Sequence, residues 1–243
     1  MASTQTGSHI VQTQGVNTHT VIMLHGRDSE AAEFAEEFFE SQASDERTLP
    51  QVFPSFKWVF PSSGTCLSKR FDVQMSQWFD MWATENPNER EDEFSSEGFD
   101  TAVPKILSIL EEEAKIISPH NIFLGGISQG GAVAIHTLLR SEIPVAGFLG
   151  FCTWLPFQAE ALKLLQQKQQ TFKTPIVLAH AEDDEVIAIT NGVVFSHTLQ
   201  TSGLSVSLRR YEEGGHWFNE PQGIDDMVEL IRQCIVEERV EAH

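Results

Sequence analysis

The chain is short of positive charge. Its 243 residues carry 16 Lys and Arg against 35 Asp and Glu, a formal net charge of −19. Phosphate binding needs clustered Lys and Arg, so nucleic acid is not expected as a partner, nor is a polybasic contact with anionic lipid. Cysteine is scarce too: Cys66, Cys152 and Cys234 are far apart, odd in number and without Cys-x-x-Cys spacing. That pattern disfavours a disulfide framework or a zinc site and fits a reduced compartment. No apolar run approaches the length needed to span a bilayer. The opening MASTQTGSHIVQTQG lacks the basic region and apolar run of a signal peptide, and no Gly follows Met1 for myristoylation. The C-terminus carries no prenylation box. The expectation is a soluble, cytoplasmic protein with no integral membrane segment. Internal repeats and long linkers are also absent.

What is present is an ordinary globular composition, 41% hydrophobic and 21% charged. Much of the acid is local, in Glu89 to Glu93 and Glu111 to Glu113, which read as a solvated loop and a solvated helix face. Short apolar runs alternate with amphipathic stretches. Thr20 to Leu24, Phe56 to Phe60, Asn121 to Ile127, Val145 to Cys152, Pro175 to Ala179 and Ser205 to Tyr211 read as strands. Glu30 to Glu40, Phe99 to Ile117, Gly130 to Arg140, Ala159 to Gln170, Ile189 to Gln200 and Ile224 to Val240 read as helices. Pro104 is expected in the first turn of its helix or at a kink. Residues 62 to 96 read as a long irregular segment, and loops of that length are often functional. Strands alternating with helices predict an α/β domain with a mostly parallel central sheet and helices on both faces. The domain is expected over residues 19–240, behind a flexible segment 1–18.

The strongest local signal is Gly126-Ile127-Ser128-Gln129-Gly130, a Gly-x-Ser-x-Gly motif between a predicted strand and a predicted helix. The turn there is so tight that the serine takes a strained backbone conformation, and the two glycines remove side chains that would clash. Ser128 is the candidate nucleophile. A serine hydroxyl needs a base, normally a histidine oriented by a carboxylate. Of nine histidines, His180, His197 and His216 follow Ser128 in usable positions. His216, behind Gly214-Gly215 and between the last strand and the last helix, is the candidate base. The acid should follow the strand ending at Ala179, where Glu182, Asp183, Asp184 and Glu185 compete, and Asp184 is preferred over Asp183. Oxyanion donors are expected from the backbone N–H groups of Gln129, after the nucleophile, and of Arg27, in the loop His25-Gly26-Arg27 after the first strong strand. His25 reads as a structural residue of that loop, and the Arg27 side chain is expected to face solvent. Apolar residues for an acyl pocket are Leu67, Met75, Trp78, Phe79, Trp154 and Leu155.

Together these residues resemble the acyl-protein thioesterase, lysophospholipase and carboxylesterase family of α/β-hydrolases, over Val21 to about Val236. Leu24-His25-Gly26 is similar to the family's opening motif. Trp78-Phe79-Asp80 is similar to its Ser-Trp-Phe-Asp segment, with Gln77 in place of serine. Gly125 to Gly131 is similar to its Gly-Gly-Phe-Ser-Gln-Gly-Gly, and Trp154-Leu155-Pro156 to its Trp-Leu-Pro. The family's acid turn, His-Gly-x-x-Asp-Pro-x-Val-Pro, falls on His180 to Ala188 with both prolines missing, and its register puts the acid at Asp184. The family's glycine after His-Gly-x is Asp28 here, which leaves the shape of the oxyanion loop open.

The resemblance implies hydrolysis of carboxylic esters or thioesters through an acyl-enzyme at Ser128, with His216 and Asp184 completing the triad and no metal or organic cofactor. Implied substrates are small acyl esters, lysolipids or S-acylated proteins, and the resemblance leaves room for a homodimer. Two other readings keep the same residues: a ligand- or partner-binding module on a hydrolase fold, and a serine peptidase.

Overall fold

The structure, a computed structural model, describes residues 7–168 and 173–241. Along the chain the elements are β1 (Ser8–Val11), β2 (His19–Leu24), α1 (Ala31–Glu40), α2 (Leu49–Val52), β3 (Phe56–Pro61), β4 (Thr65–Ser68) and β5 (Val73–Ser76). There follow α3 (Glu91–Phe94), α4 (Ser96–Ala114), β6 (Ile122–Ile127), α5 (Gln129–Arg140), β7 (Gly147–Phe151) and α6 (Gln158–Lys168). The chain closes with β8 (Ile176–Ala181), α7 (Ile189–Thr201), β9 (Val206–Tyr211) and α8 (Gln222–Glu241). The expected end of α6, at Gln169 and Gln170, lies outside the described residues.

Seven strands form one sheet in the order β1-β3-β2-β6-β7-β8-β9, with β1 antiparallel to β3 and every other neighbouring pair parallel. The inner strands are mostly apolar because both faces are covered, and the period-2 alternation of strand side chains divides them between two cores. Ile22, Leu24, Ile122, Leu124, Phe148, Ile176 and Leu178 face α4, α5 and α7, where Phe99, Ile106, Ile135, Phe195 and Leu199 meet them. Val21, Met23, Trp58, Phe60, Phe123, Leu149 and Phe151 face α1 and α8, through Phe34, Phe38, Ile224, Met227 and Ile231. Full burial of each such large side chain stabilises the fold by roughly 1.5–3 kcal/mol. Beneath the first core, Lys57 Nζ donates to Glu113 Oε1 at 2.6 Å and Thr20 Oγ1 to Glu113 Oε2 at 3.4 Å, so the buried carboxylate is paired.

Three features differ from the sequence reading. Residues 1–18 are not all outside the domain, since Ser8–Val11 pairs with β3 and extends the sheet. Segment 62–96 is not wholly irregular: β4 and β5 form an antiparallel hairpin, whose turn carries no Gly or Pro to announce it. Pro104 sits midway along α4 and not in its first turn. The N–H it lacks would have bonded the carbonyl of Asp100, an exposed residue that water can serve. No helix among the described residues is long and apolar enough to cross a membrane.

Candidate active site

Parallel strands place their carboxyl ends along one edge, and the loops leaving that edge carry the candidate residues. Ser128 stands between β6 and α5 with φ 53° and ψ −125°, a backbone conformation that L side chains rarely adopt. Its backbone is held on both sides: Ser128 N donates to Phe151 O at 2.9 Å, and Thr153 Oγ1 donates to Ser128 O at 2.7 Å. The glycines of the motif are demanded by close backbone approach. A Cβ on Gly126 would stand 2.6 Å from Gly130 C, and one on Gly130 would stand 2.4 Å from His25 O. The second of these contacts shows α5 starting directly against the β2–α1 loop.

That loop is the expected second side of the oxyanion site. A Cβ on Gly26 would lie 3.5 Å from Ser128 Cβ, so residues 25–27 pass beside the serine. His25 is fully buried, with Nδ1 2.7 Å from Gly26 O and Nε2 accepting Ser63 N–H at 3.1 Å. Burial lowers its pKa, and with both ring nitrogens engaged it is the structural residue expected. Asp28, where the resemblance expects glycine, takes φ 61°, and its N–H donates to Ser76 O at 2.7 Å. The short polar side chain of Asp tolerates that left-handed region better than most. The Arg27 side chain, expected in solvent, is instead folded under the β4–β5 hairpin. There Nη2 is 3.4 Å from Ser68 Oγ, and the guanidinium lies 5.7 Å from the Phe71 ring centre. Partial burial lowers its pKa.

The acid turn places its carboxylates in different surroundings. Asp184 is buried, and its Oδ2 accepts from His216 Nδ1 at 2.8 Å. Its Oδ1 accepts Val186 N–H and Ile187 N–H, both at 2.9 Å. Burial pushes this carboxyl up, but hydrogen bonds from His180 and His216 outweigh it and hold the group well below the usual carboxylate range. Asp183 is exposed and accepts Gly215 N–H at 2.8 Å and Gly214 N–H at 3.3 Å, which fastens the loop that carries His216. Cys152 Sγ, a ring nitrogen of His180 and a carboxylate oxygen of Asp184 lie within 4.8 Å of one another. His180 Nε2 is 2.7 Å from Ile187 O, an atom that only accepts, so this nitrogen carries its proton and has no lone pair for a cation.

Ser128 and His216 line one cleft of about 340 Å³ together with Arg27, Phe34, Met75, Met81, Thr84, Ile127, Ile187 and Trp217. Met75 was expected there from the sequence. The other five expected pocket residues lie elsewhere. Leu67 is on β4 and 44% exposed. Trp78, Phe79, Trp154 and Leu155 are buried in the core. For Trp78 and Phe79 the cause is Gln129, whose buried side chain accepts Trp78 N–H at 2.9 Å and donates to Phe79 O at 2.7 Å. This clamp draws the Trp78-Phe79 segment inward against α5, and Trp78 Nε1 then donates to His25 O at 2.8 Å. Of the lining residues the sequence reading missed, Ile127 and Trp217 are chain neighbours of Ser128 and His216, the one signal that was available.

The chain resembles proteins of known family. The phospholipase/carboxylesterase family model matches residues 5–235. A probable carboxylesterase SOBER1-like of Arabidopsis thaliana is 29% identical over 168 residues, 68% of this chain and 63% of that protein. This chain thus spans less than two thirds of that relative. An acyl-protein thioesterase 1 of Yarrowia lipolytica is 29% identical over 75% of this chain and 76% of its own. The crystal structure of Zea mays acyl-protein thioesterase 2 superposes with a TM-score of 0.73 at 21% identity, covering 94% of this chain and 99% of that one. That likeness bears out the α/β-hydrolase fold expected from the sequence. With a family model spanning nearly the whole chain and a serine on a strained strand–helix turn at the sheet edge, the chain belongs to the phospholipase/carboxylesterase family of α/β-hydrolases.

Proposed function

We propose that this protein is a serine hydrolase of carboxylic esters or thioesters, with Ser128 as nucleophile, His216 as base and Asp184 as the orienting acid. The observation that carries the reading is the 2.8 Å contact of His216 Nδ1 with buried Asp184, on a histidine that shares its cleft with a strained Ser128. With Nδ1–H given to Asp184, Nε2 is the free base of the imidazole and takes the Ser128 proton as Oγ attacks the carbonyl carbon. The tetrahedral oxyanion is received by the backbone N–H groups of Arg27 and Gln129, the latter at the positive end of α5. His216 returns the proton to the leaving alcohol or thiol. It then activates water, which releases the acyl group and regenerates Ser128.

Phe34, Met75, Met81, Ile127 and Ile187 give the cleft an apolar wall for the acyl chain. The names of the relatives favour the same two bond types, esters and protein thioesters. Substrates of this proposal are small acyl esters, lysolipids or S-acylated proteins. Three cysteines in the thiol form, two of them buried, suit a reducing cytoplasm.

The test is covalent capture. A fluorophosphonate probe is expected to add one label per chain at Ser128, found by mass spectrometry of the digested protein, and His216→Gln is expected to slow labelling by orders of magnitude. Labelling that persists unchanged in Ser128→Ala overturns the assignment.

A further inference from the structure

We propose that His180 is a positioning residue for the Asp184–His216 pair, a second histidine set against the same carboxylate oxygen as the base. The inference rests on the reading of Asp184 and His216 given above, and goes beyond it by assigning a role to a residue outside the triad.

His180 lies on β8, four residues before Asp184, and is 2% exposed. Its Nε2–H donates to Ile187 O at 2.7 Å, and the same nitrogen stands 3.1 Å from Asp184 Oδ2, where it helps hold the carboxyl ionised. The carboxylate oxygen it approaches is the one that receives His216 Nδ1–H. Ile187 closes a ring: its carbonyl is held by His180, and its N–H is held by Asp184 Oδ1. The turn bearing the acid is therefore fastened at His180, Ile187 and Asp184 at once. From α7, Gly192 packs against the imidazole so closely that a Cβ there would stand 2.6 Å from His180 Nδ1. The ring has no room to swing away.

The consequence is chemical as well as geometric. A donor on Oδ2 stabilises the carboxylate most when His216 is neutral, because an imidazolium already satisfies part of that charge. Removing the donor thus disfavours the neutral pair more than the protonated one, and the Asp184–His216 pair takes up its proton at higher pH. The other titratable groups facing the carboxylate are the Cys152 thiol at the end of β7, whose pKa burial raises, and Asp183 in the same turn. The Cys152 thiol also hydrogen-bonds Asp184, but a thiol is a weak donor beside an imidazole N–H, and the Asp183 carboxylate has no proton to give.

Two substitutions separate the donor from the bulk. In His180→Leu the donor is gone. In His180→Gln the terminal amide reaches the place of Nε2 and restores it. The readout is the pH midpoint at which the pair is protonated, followed by NMR of the folded resting protein labelled at histidine, with His216→Gln identifying the signal. His180→Leu is expected to raise that midpoint by roughly 0.5–1, and His180→Gln to return it to the wild-type value. The acid limb of kcat/KM for an ester substrate should move with it, accompanied by a roughly ten-fold loss in kcat for His180→Leu. Should His180→Leu fail to fold, as judged by circular dichroism, His180→Asn takes its place, because its shorter amide falls short of Asp184. A folded variant lacking the donor that titrates as wild type overturns the proposal, and so does a Gln variant that behaves as Leu. The NMR titration needs no turnover. Absence of ester hydrolysis by the wild type would sink the proposed function while leaving this inference to its own result.

Discussion

Replacing Gln129 with methionine tests whether the nucleophile helix also builds the rest of the site. Gln129 is fully buried at the first position of α5, and its side chain occupies both the N–H of Trp78 and the carbonyl of Phe79. Methionine has nearly the same length and volume, so Gln129→Met leaves little cavity and removes only the two hydrogen bonds. Each buried backbone group left without a partner costs about 1–3 kcal/mol, which makes the expected loss roughly 2–6 kcal/mol. Against a typical total of about 5–15 kcal/mol for a folded domain, that is a large fraction. Gln129→Glu should fare no better, because it keeps an acceptor for Trp78 N–H but turns a buried carboxylate oxygen toward the Phe79 carbonyl. Urea unfolding followed by tryptophan fluorescence reads the loss. The backbone N–H of residue 129 survives both substitutions, so activity that falls with them reports displacement of the 78–79 segment and not loss of an oxyanion donor. A Gln129→Met protein within about 0.5 kcal/mol of wild type would refute the clamp.

Three further outcomes follow from the same structure. Glu113→Ala strands Lys57 Nζ in a buried site and should cost about 3–5 kcal/mol, whereas Lys57→Met combined with Glu113→Leu should recover most of it, read by thermal melting. Asp28 holds φ 61°, so Asp28→Gly should keep or raise the melting temperature, while Asp28→Val should lose about 1–2 kcal/mol. Burial lowers the His136 pKa from its ordinary 6.5 to about 4. Unfolded chains bind the proton first, so this group's contribution is complete above pH 6.5, falls as the pH drops toward 4, and amounts to roughly 3 kcal/mol. His136→Leu should flatten the stability profile across that window, measured by urea unfolding between pH 4 and 7.

The parts of the site legible in the sequence are those fixed locally. The Gly126 to Gly130 turn needs its glycines within five residues, and Gly214-Gly215 marks the loop before His216, so both could be read from the chain alone. Asp184 was ambiguous among four carboxylates, preferred with the support of the family motif, because the choice depends on which one meets a loop some thirty residues on. Tertiary contacts decided the rest. Trp78 and Phe79 read as pocket residues because they are aromatic and lie in a long segment, but the Gln129 clamp turns them inward, and only the folded helix reveals it. Arg27 reads as solvated because arginine usually is, yet the hairpin above it, marked by no Gly or Pro, closes over its side chain. His180 and Asp184 are four apart outside any helix, so nothing in their spacing says they touch. The edge strand Ser8–Val11 sits in a polar context, and partial burial against β3 is all that distinguishes it.

The most direct test of the account is hydrolysis of p-nitrophenyl esters from acetyl to palmitoyl, with an acyl thioester alongside, by wild type and Ser128→Ala at equal folded concentration. Turnover by the wild type that falls by roughly 10⁶ in Ser128→Ala is the predicted result, and the preferred chain length then measures the cleft. Equal rates in the two proteins, or no turnover of any ester or thioester by the wild type, would contradict it.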